Sequence, residues 1–212
     1  WFVRYKMTPE YAELFKTPVR FRIIEKRTPV LEKFAASINL RKIISVPCKP
    51  RPWAERKRCF VNVERLVKLN GGRMITGWIF NEFEHRSIEA EAHAIWIDRL
   101  GKKRFDVTPH DFQPERVLFL PDPKVAAKRG YTAHPRTLLS DDPRLAAIES
   151  FDSAIQQLRE TKFQGFGKEF VILRHEYEKA RDDSGLPDDV ARHLLQKYQD
   201  WDEESWRLYG KE

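Results

Sequence analysis

Cysteine, methionine and glycine are scarce: two, two and nine among 212 residues. Two cysteines, Cys48 and Cys59, make no disulfide framework, and although they stand close enough in sequence to pair, nothing demands it. A reduced, cytoplasmic setting is the simpler expectation. No apolar run approaches the roughly 18 residues needed to span a membrane. The opening "WFVRYKMTPEY" lacks a signal-peptide apolar core, and its first residue is Trp, so a removed targeting segment stays compatible with the sequence. Neither Cys-x-x-Cys nor His-Glu-x-x-His occurs. His85, Glu89 and His93 share a parity, but four residues of strand span about 13 Å, too far for one ion. "NGGRM" has neither the spacing nor the lysine of a phosphate loop. No metal and no cofactor are expected.

Acidic charge is also missing from one end. Residues 1–73 hold 18 Lys or Arg against 6 Glu and no Asp, while the remainder is net acidic despite an overall charge of +7. A basic N-terminal third suits an anionic partner such as nucleic acid, anionic lipid or an acidic protein, and it equally suits packing against the acidic remainder. Hydrophobic residues make up 41%, with six Trp and fourteen Phe, enough for a real core.

The pattern along the chain indicates an α+β fold in three segments. Residues 1–50 form a basic α/β segment, with "TPEYAELFK" and "TPVLEKFAASIN" as Thr-capped, Pro-opened helices and "VRFRIIE" as a strand. "PCKPRPW" reads as extended or looped. Residues 51–125 form a core: a helix over "CFVNVERLVKL", stopped by "NGG", then an antiparallel meander of about four strands, "RMITGWIF", "SIEAEAHAIWI", "RFDVT" and "ERVLFL". Residues 126–212 are mostly helical, with Trp201, Trp206 and Tyr209 as anchors for a partner if they are not packed at home.

Within the core, three side chains point to one chemistry. Cys59 opens the predicted helix, where the positive end of the helix dipole favours a thiolate, and Arg56, Lys57 and Arg58 push the same way. His93 follows on a strand and Asp106 on the next. A thiolate can attack a carbonyl, an imidazole can move the proton, and a carboxylate can fix the imidazole tautomer. Taken singly, each has a plainer reading: a core cysteine, a structural histidine and a turn aspartate.

The ordered set "CFVNV…GW…IEAEAHAIW…FDVTP" resembles the core of transglutaminase-like and papain-like cysteine hydrolases, over about residues 53–121. The resemblance implies a helix presenting the nucleophile Cys59, and an antiparallel sheet supplying His93 as general base and acid and Asp106 as its orienter. The activity it implies is thiol-dependent hydrolysis or acyl transfer on a peptide or amide bond of a peptide or protein substrate. It also departs from the papain pattern. Trp53 stands where a glutamine would donate to the oxyanion, and Arg58 stands where a glycine would precede the cysteine. An indole N–H can donate, as an upstream Trp does in transglutaminase-type sites.

Further candidates for the site wall are Asn62, one turn along from Cys59; Trp78, core or cleft wall; and Glu91, on the His93 face, as a rim charge or a tuner of the imidazole. Gly77 marks either a bulge or a close approach. The hairpin sets a condition: Asp106 shares a face with His93 only if paired residue numbers sum to an odd value such as 199 or 201. The alternative function is a non-enzymatic nucleic-acid or protein-binding module on an inactive hydrolase-like scaffold. Phe2, Tyr5, Phe15 and Phe21, interleaved with basic residues, would then stack on a single strand.

Overall fold

The computed structural model describes residues 8–16, 21–83, 86–125, 134–162 and 174–196. In chain order the elements are α1 (Pro9–Lys16), β1 (Phe21–Ile23), α2 (Pro29–Ile38), β2 (Ile44–Pro47), α3 (Cys59–Asn70), β3 (Arg73–Phe83), β4 (Ser87–Ile97), β5 (Arg104–Phe105), β6 (Arg116–Pro121), β7 (Arg136–Leu138), α4 (Pro143–Lys162) and α5 (Arg174–Ser184). The fold is α+β with an antiparallel open sheet. The chain divides into two compact units. One holds the described parts of 20–128 and 134–139; the other holds those of 1–19 and 140–212.

Among the described residues the sheet unit has seven strands, in the order β2-β6-β3-β4-β5, with β1 also on β3 and β7 also on β4. The four-strand meander is therefore corrected in two ways. β6 returns beside β3 instead of following β5, and β1, β2 and β7 extend the sheet. Gly77 is where this crossover shows in the sequence. A Cβ on it would overlap the Leu120 carbonyl oxygen, so only glycine lets the β6 backbone lie this close. β2 hides in sequence because it ends at Pro47, which pairs with Arg116; at a sheet edge a proline deprives no neighbour of a donor.

β4 has two faces of different character. Ala90, Ala94 and Trp96 look one way, where the two alanines let helices approach. α2 contributes Leu31, Phe34 and Ala35 to the cluster around Trp78, Phe80, Ala90, Leu118 and Leu120. α3 contributes Val63 and Leu66 to a second cluster, with Ala94, Trp96 and Val107. The opposite face packs Ile79 and Ile95 of the central strands with Ile23, Val46, Val117 and Phe119. Each such side chain contributes about 1.5–3 kcal/mol on burial. The helix ends are capped as their residues require. Thr28 Oγ1 accepts from the Leu31 N–H at 3.2 Å, and Gly71 ends α3 with φ of +70°.

The helical unit gathers Tyr11 with Phe151, Ile155, Ala180, Leu186, Val190, Ala191 and Leu194. Residues 188–196 are helical, in line with the sequence pattern there. Trp201, Trp206 and Tyr209 lie outside the described residues, as do Phe2 and Tyr5.

Candidate active site

The site grows out of a gap in the sheet. Along its outer edge, β4 is covered by β7 at Ser87–Glu89 and by β5 at Trp96–Ile97. Ala90 N–H also faces that edge, donating to the Pro135 carbonyl at 2.8 Å. Peptide orientation repeats every second residue, so Ala92 faces outward too. The start of α3 fills this opening, and Cys59 Sγ lies 4.0 Å from the Ala92 carbonyl oxygen. Both cysteines are free thiols.

The register meets the condition set by the sequence. Trp96 pairs with Phe105 and Ile97 with Arg104, an odd sum of 201 in each case, which places Asp106 on the His93 face. Asp98, on the other face, instead closes the hairpin by accepting the Lys102 and Lys103 N–H groups at 2.7 and 3.0 Å. After Phe105 the chain leaves β4 and bonds to the segment after β2. Asp106 N–H donates to the Pro47 carbonyl at 3.0 Å, and Lys49 N–H donates to the Asp106 carbonyl at 2.7 Å. The backbone of Asp106 is thus fixed against the 47–49 segment before any side chain is considered.

His93 and Asp106 are fully buried, and His93 Nε2 lies 2.9 Å from Asp106 Oδ2. Cys59 and His93 share the wall of one cleft. With Nε2 committed to Asp106, Nδ1 is the nitrogen left for a second partner. Burial opposes the imidazolium, but the Asp106 charge, Cys59 and the hydrogen bonds to both outweigh it and hold His93 well above the ordinary histidine value. Burial likewise opposes the Asp106 carboxylate. The His93 charge and the hydrogen bonds from His110 and His93 win, keeping Asp106 well below the usual carboxylate range.

Sequence reasoning missed His110. Its Nε2 is 2.7 Å from the same Asp106 Oδ2, and its ring centroid is 5.5 Å from that of His93. The signal was local: in "DVTPH" the Thr108 N–H donates back to Asp106 Oδ1 at 2.9 Å, and Pro109 follows, a turn that returns His110 to the carboxylate.

The other candidates separate by position. Asn62 is buried and pins the loop before α3: its Nδ2 donates to the Glu55 carbonyl at 2.7 Å and to Thr108 Oγ1 at 3.3 Å, and its Oδ1 accepts the Glu55 N–H at 3.0 Å. Lys57, within that loop, has φ of +60°, a left-handed conformation that costs a lysine energy two residues before Cys59. Trp53 packs on the α3 flank with the Arg65 guanidinium 4.7 Å from its ring centroid, away from the cleft. Trp78 lies in the core on the α2 side and donates its indole N–H to Asp122 Oδ2 at 3.0 Å. Glu91 is on the His93 face and lines the cleft.

That cleft has a volume of about 120 Å³ and is walled by Ile23, Glu91, Cys59, His93, Thr108 and His110, with Arg56, Lys57 and Asp111 at its rim. Arg56 and Asp111 form an ion pair. Cys48, Asp106 and His110 offer ligand-type atoms within 4.8 Å of one another, but Asp106 Oδ2 is already shared by two imidazoles. Burial and the Asp106 charge push the Cys48 thiol up to about 12, which leaves it protonated and inert. No protein-family model, no curated protein and no solved structure matches the chain.

Proposed function

We propose that the protein is a thiol-dependent hydrolase or acyltransferase acting on a peptide or amide bond, with Cys59 as nucleophile, His93 as general base and acid, and Asp106 as orienter. One observation carries this reading: a buried carboxylate holds Nε2 of an imidazole that shares a cleft wall with a helix-opening cysteine.

The chemistry follows from that arrangement. The Cys59 sulfur attacks the amide carbon, forming a C–S bond as the carbonyl π pair moves to oxygen. The N–H groups in the first turn of α3 have no intrahelical acceptor and are the donors this reading assigns to that oxyanion. His93 gives its Nδ1 proton to the leaving nitrogen as the C–N bond breaks, leaving a thioester. Water or an amine then attacks the thioester while His93 takes a proton from it, and the Cys59 sulfur leaves. Asp106 keeps the Nε2 proton in place throughout and so fixes which nitrogen faces the sulfur.

The test is the pH dependence of alkylation by iodoacetamide, resolved at Cys48 and Cys59 by mass spectrometry, in the parent and in His93→Ala. The proposal expects rapid modification of Cys59 at pH 6 and slower modification without His93. Labelling of Cys59 only after unfolding overturns it. A substrate still turned over by Cys59→Ala does the same.

A further inference from the structure

We infer that Glu91 and Asn81 form a subsite for a cationic group, an ammonium or guanidinium, on the substrate that Cys59 attacks. The inference rests on the proposed use of Cys59, and it comes from two polar side chains left incomplete: Glu91, on the cleft wall that Cys59 shares, and Asn81, bonded to it.

Glu91 lies two positions before His93 on β4, on the same face, and lines the cleft. Two residues of strand put it about 7 Å along from the imidazole. Its carboxylate accepts from Asn81 Nδ2 at 2.7 Å. Among the described residues it has no cationic partner. Other acidic groups nearby are answered: Glu89 by Arg136 at 2.5 Å and His134 at 3.1 Å, and Asp111 by Arg56. Lys57 stands at the exposed rim, where water screens its charge.

Asn81 supplies the second observation. It is 1% exposed, and its Oδ1 is buried without a hydrogen-bond partner. The amide orientation is forced, because only the nitrogen can donate to a carboxylate. Asn81 sits opposite Ile23 in the β1–β3 ladder, and both Ile23 and Glu91 line the cleft. Asn81 is bonded to Glu91, so its orphan oxygen belongs to a side chain that lies directly behind a cleft wall. A buried acceptor left unpaired is costly. An unanswered carboxylate and an unpaired carbonyl side by side ask for one kind of guest: a cation with several N–H donors. A neutral group satisfies the amide oxygen but not the charge, and an anion satisfies neither.

The selected substrate is accordingly an amide carrying a lysine-like, arginine-like or amino-terminal cation within reach of the attacked carbonyl. The experiment reads this without needing turnover. The parent protein and its Glu91→Gln variant are treated with aminoethyl methanethiosulfonate and with ethyl methanethiosulfonate, its neutral counterpart. In each case the Cys59 thiolate displaces methanesulfinate and a mixed disulfide forms, and the rate at Cys59 is followed by mass spectrometry. The glutamine amide keeps the shape of the carboxylate and can still accept from Asn81, so the substitution removes charge alone.

The expected result is a rate ratio, cationic over neutral, about 10- to 100-fold higher in the parent than in Glu91→Gln, the range for a charge-assisted hydrogen bond. A ratio that stays within about twofold between the two proteins overturns the inference. Failure of both reagents to reach Cys59 also overturns it, because the cleft then admits no guest. If both reagents label Cys59 rapidly at pH 6 without charge preference, the catalytic reading stands and the cation subsite falls. If the charge preference holds but Cys59→Ala retains turnover, the subsite stands and the catalytic reading falls.

Discussion

Replacing Asp106 by Asn tests the electrostatic logic of the site through stability alone. The carboxylate is fully buried and accepts from His93, His110 and the Thr108 N–H. Asparagine preserves the shape and leaves Oδ1 available to Thr108, but it sets an amide N–H against two imidazole nitrogens. Breaking a buried charge pair from one side costs about 3–5 kcal/mol, a large part of the roughly 5–15 kcal/mol that holds a domain together. The sign of the pH dependence is the sharper test. His93 is raised in the folded state, so its contribution is fully present below the unfolded value near 6.5 and fades as pH rises through the folded value. Asp106 is depressed, so its contribution is present above about pH 4 and fades as pH falls. Between about pH 4 and 6.5 both are complete. Without the Asp106 charge, burial dominates His93 and favours its neutral form. The Asp106→Asn protein therefore gains stability, relative to its parent, as pH rises from 6 to 9, with a slope of up to about 1.4 kcal/mol per pH unit for one proton. Urea denaturation of both proteins across that range, each in a Cys59→Ser background, gives the difference directly. A difference independent of pH refutes the account of His93 and Asp106 as a charged pair.

Other substitutions probe the frame around the site. Asn62→Ala removes the clamp between Glu55 and Thr108; it should cost about 1–3 kcal/mol in urea denaturation and slow alkylation of Cys59, and an unchanged alkylation rate would show that the loop holds itself. Gly77→Ala drives a methyl group into the β6 backbone at Leu120, so a loss at or above the roughly 1–3 kcal/mol of ordinary overpacking is expected, and a stabilised variant would contradict the β3–β6 contact. Cys48, with its thiol pushed up to about 12, should resist iodoacetamide at pH 8 in the folded protein. Mass spectrometry that finds Cys48 modified as fast as a free thiol would overturn this account of a half-buried thiol beside Asp106.

Much of the local structure was legible because it depends on neighbours in the chain. Thr-Pro openings, the "NGG" stop and the 3.6-residue period of "CFVNVERLVKL" act within one or two turns, and the corresponding helices form where those signals lie. The alternation in β4 likewise fixed which residues share the His93 face. β2 was illegible for the opposite reason: a short edge strand beside several prolines owes its form to β6, which arrives about 70 residues later.

The sequence by itself determined the order of chemistry: a thiol at a helix start, then an imidazole, then a carboxylate on a following strand. It also determined that the carboxylate would help only under one parity of pairing. Tertiary structure decided the parity, because one residue of slip reverses every side chain and no local interaction fixes the count. It decided too that His110 turns back onto Asp106, that Trp53 packs on α3 away from the cleft, and that Asn81 stands beside Glu91 with an oxygen unpaired. These depend on which strands lie side by side. That is set by burial of whole faces and by one glycine that lets β6 approach β3, quantities that belong to the folded chain and to no segment of it.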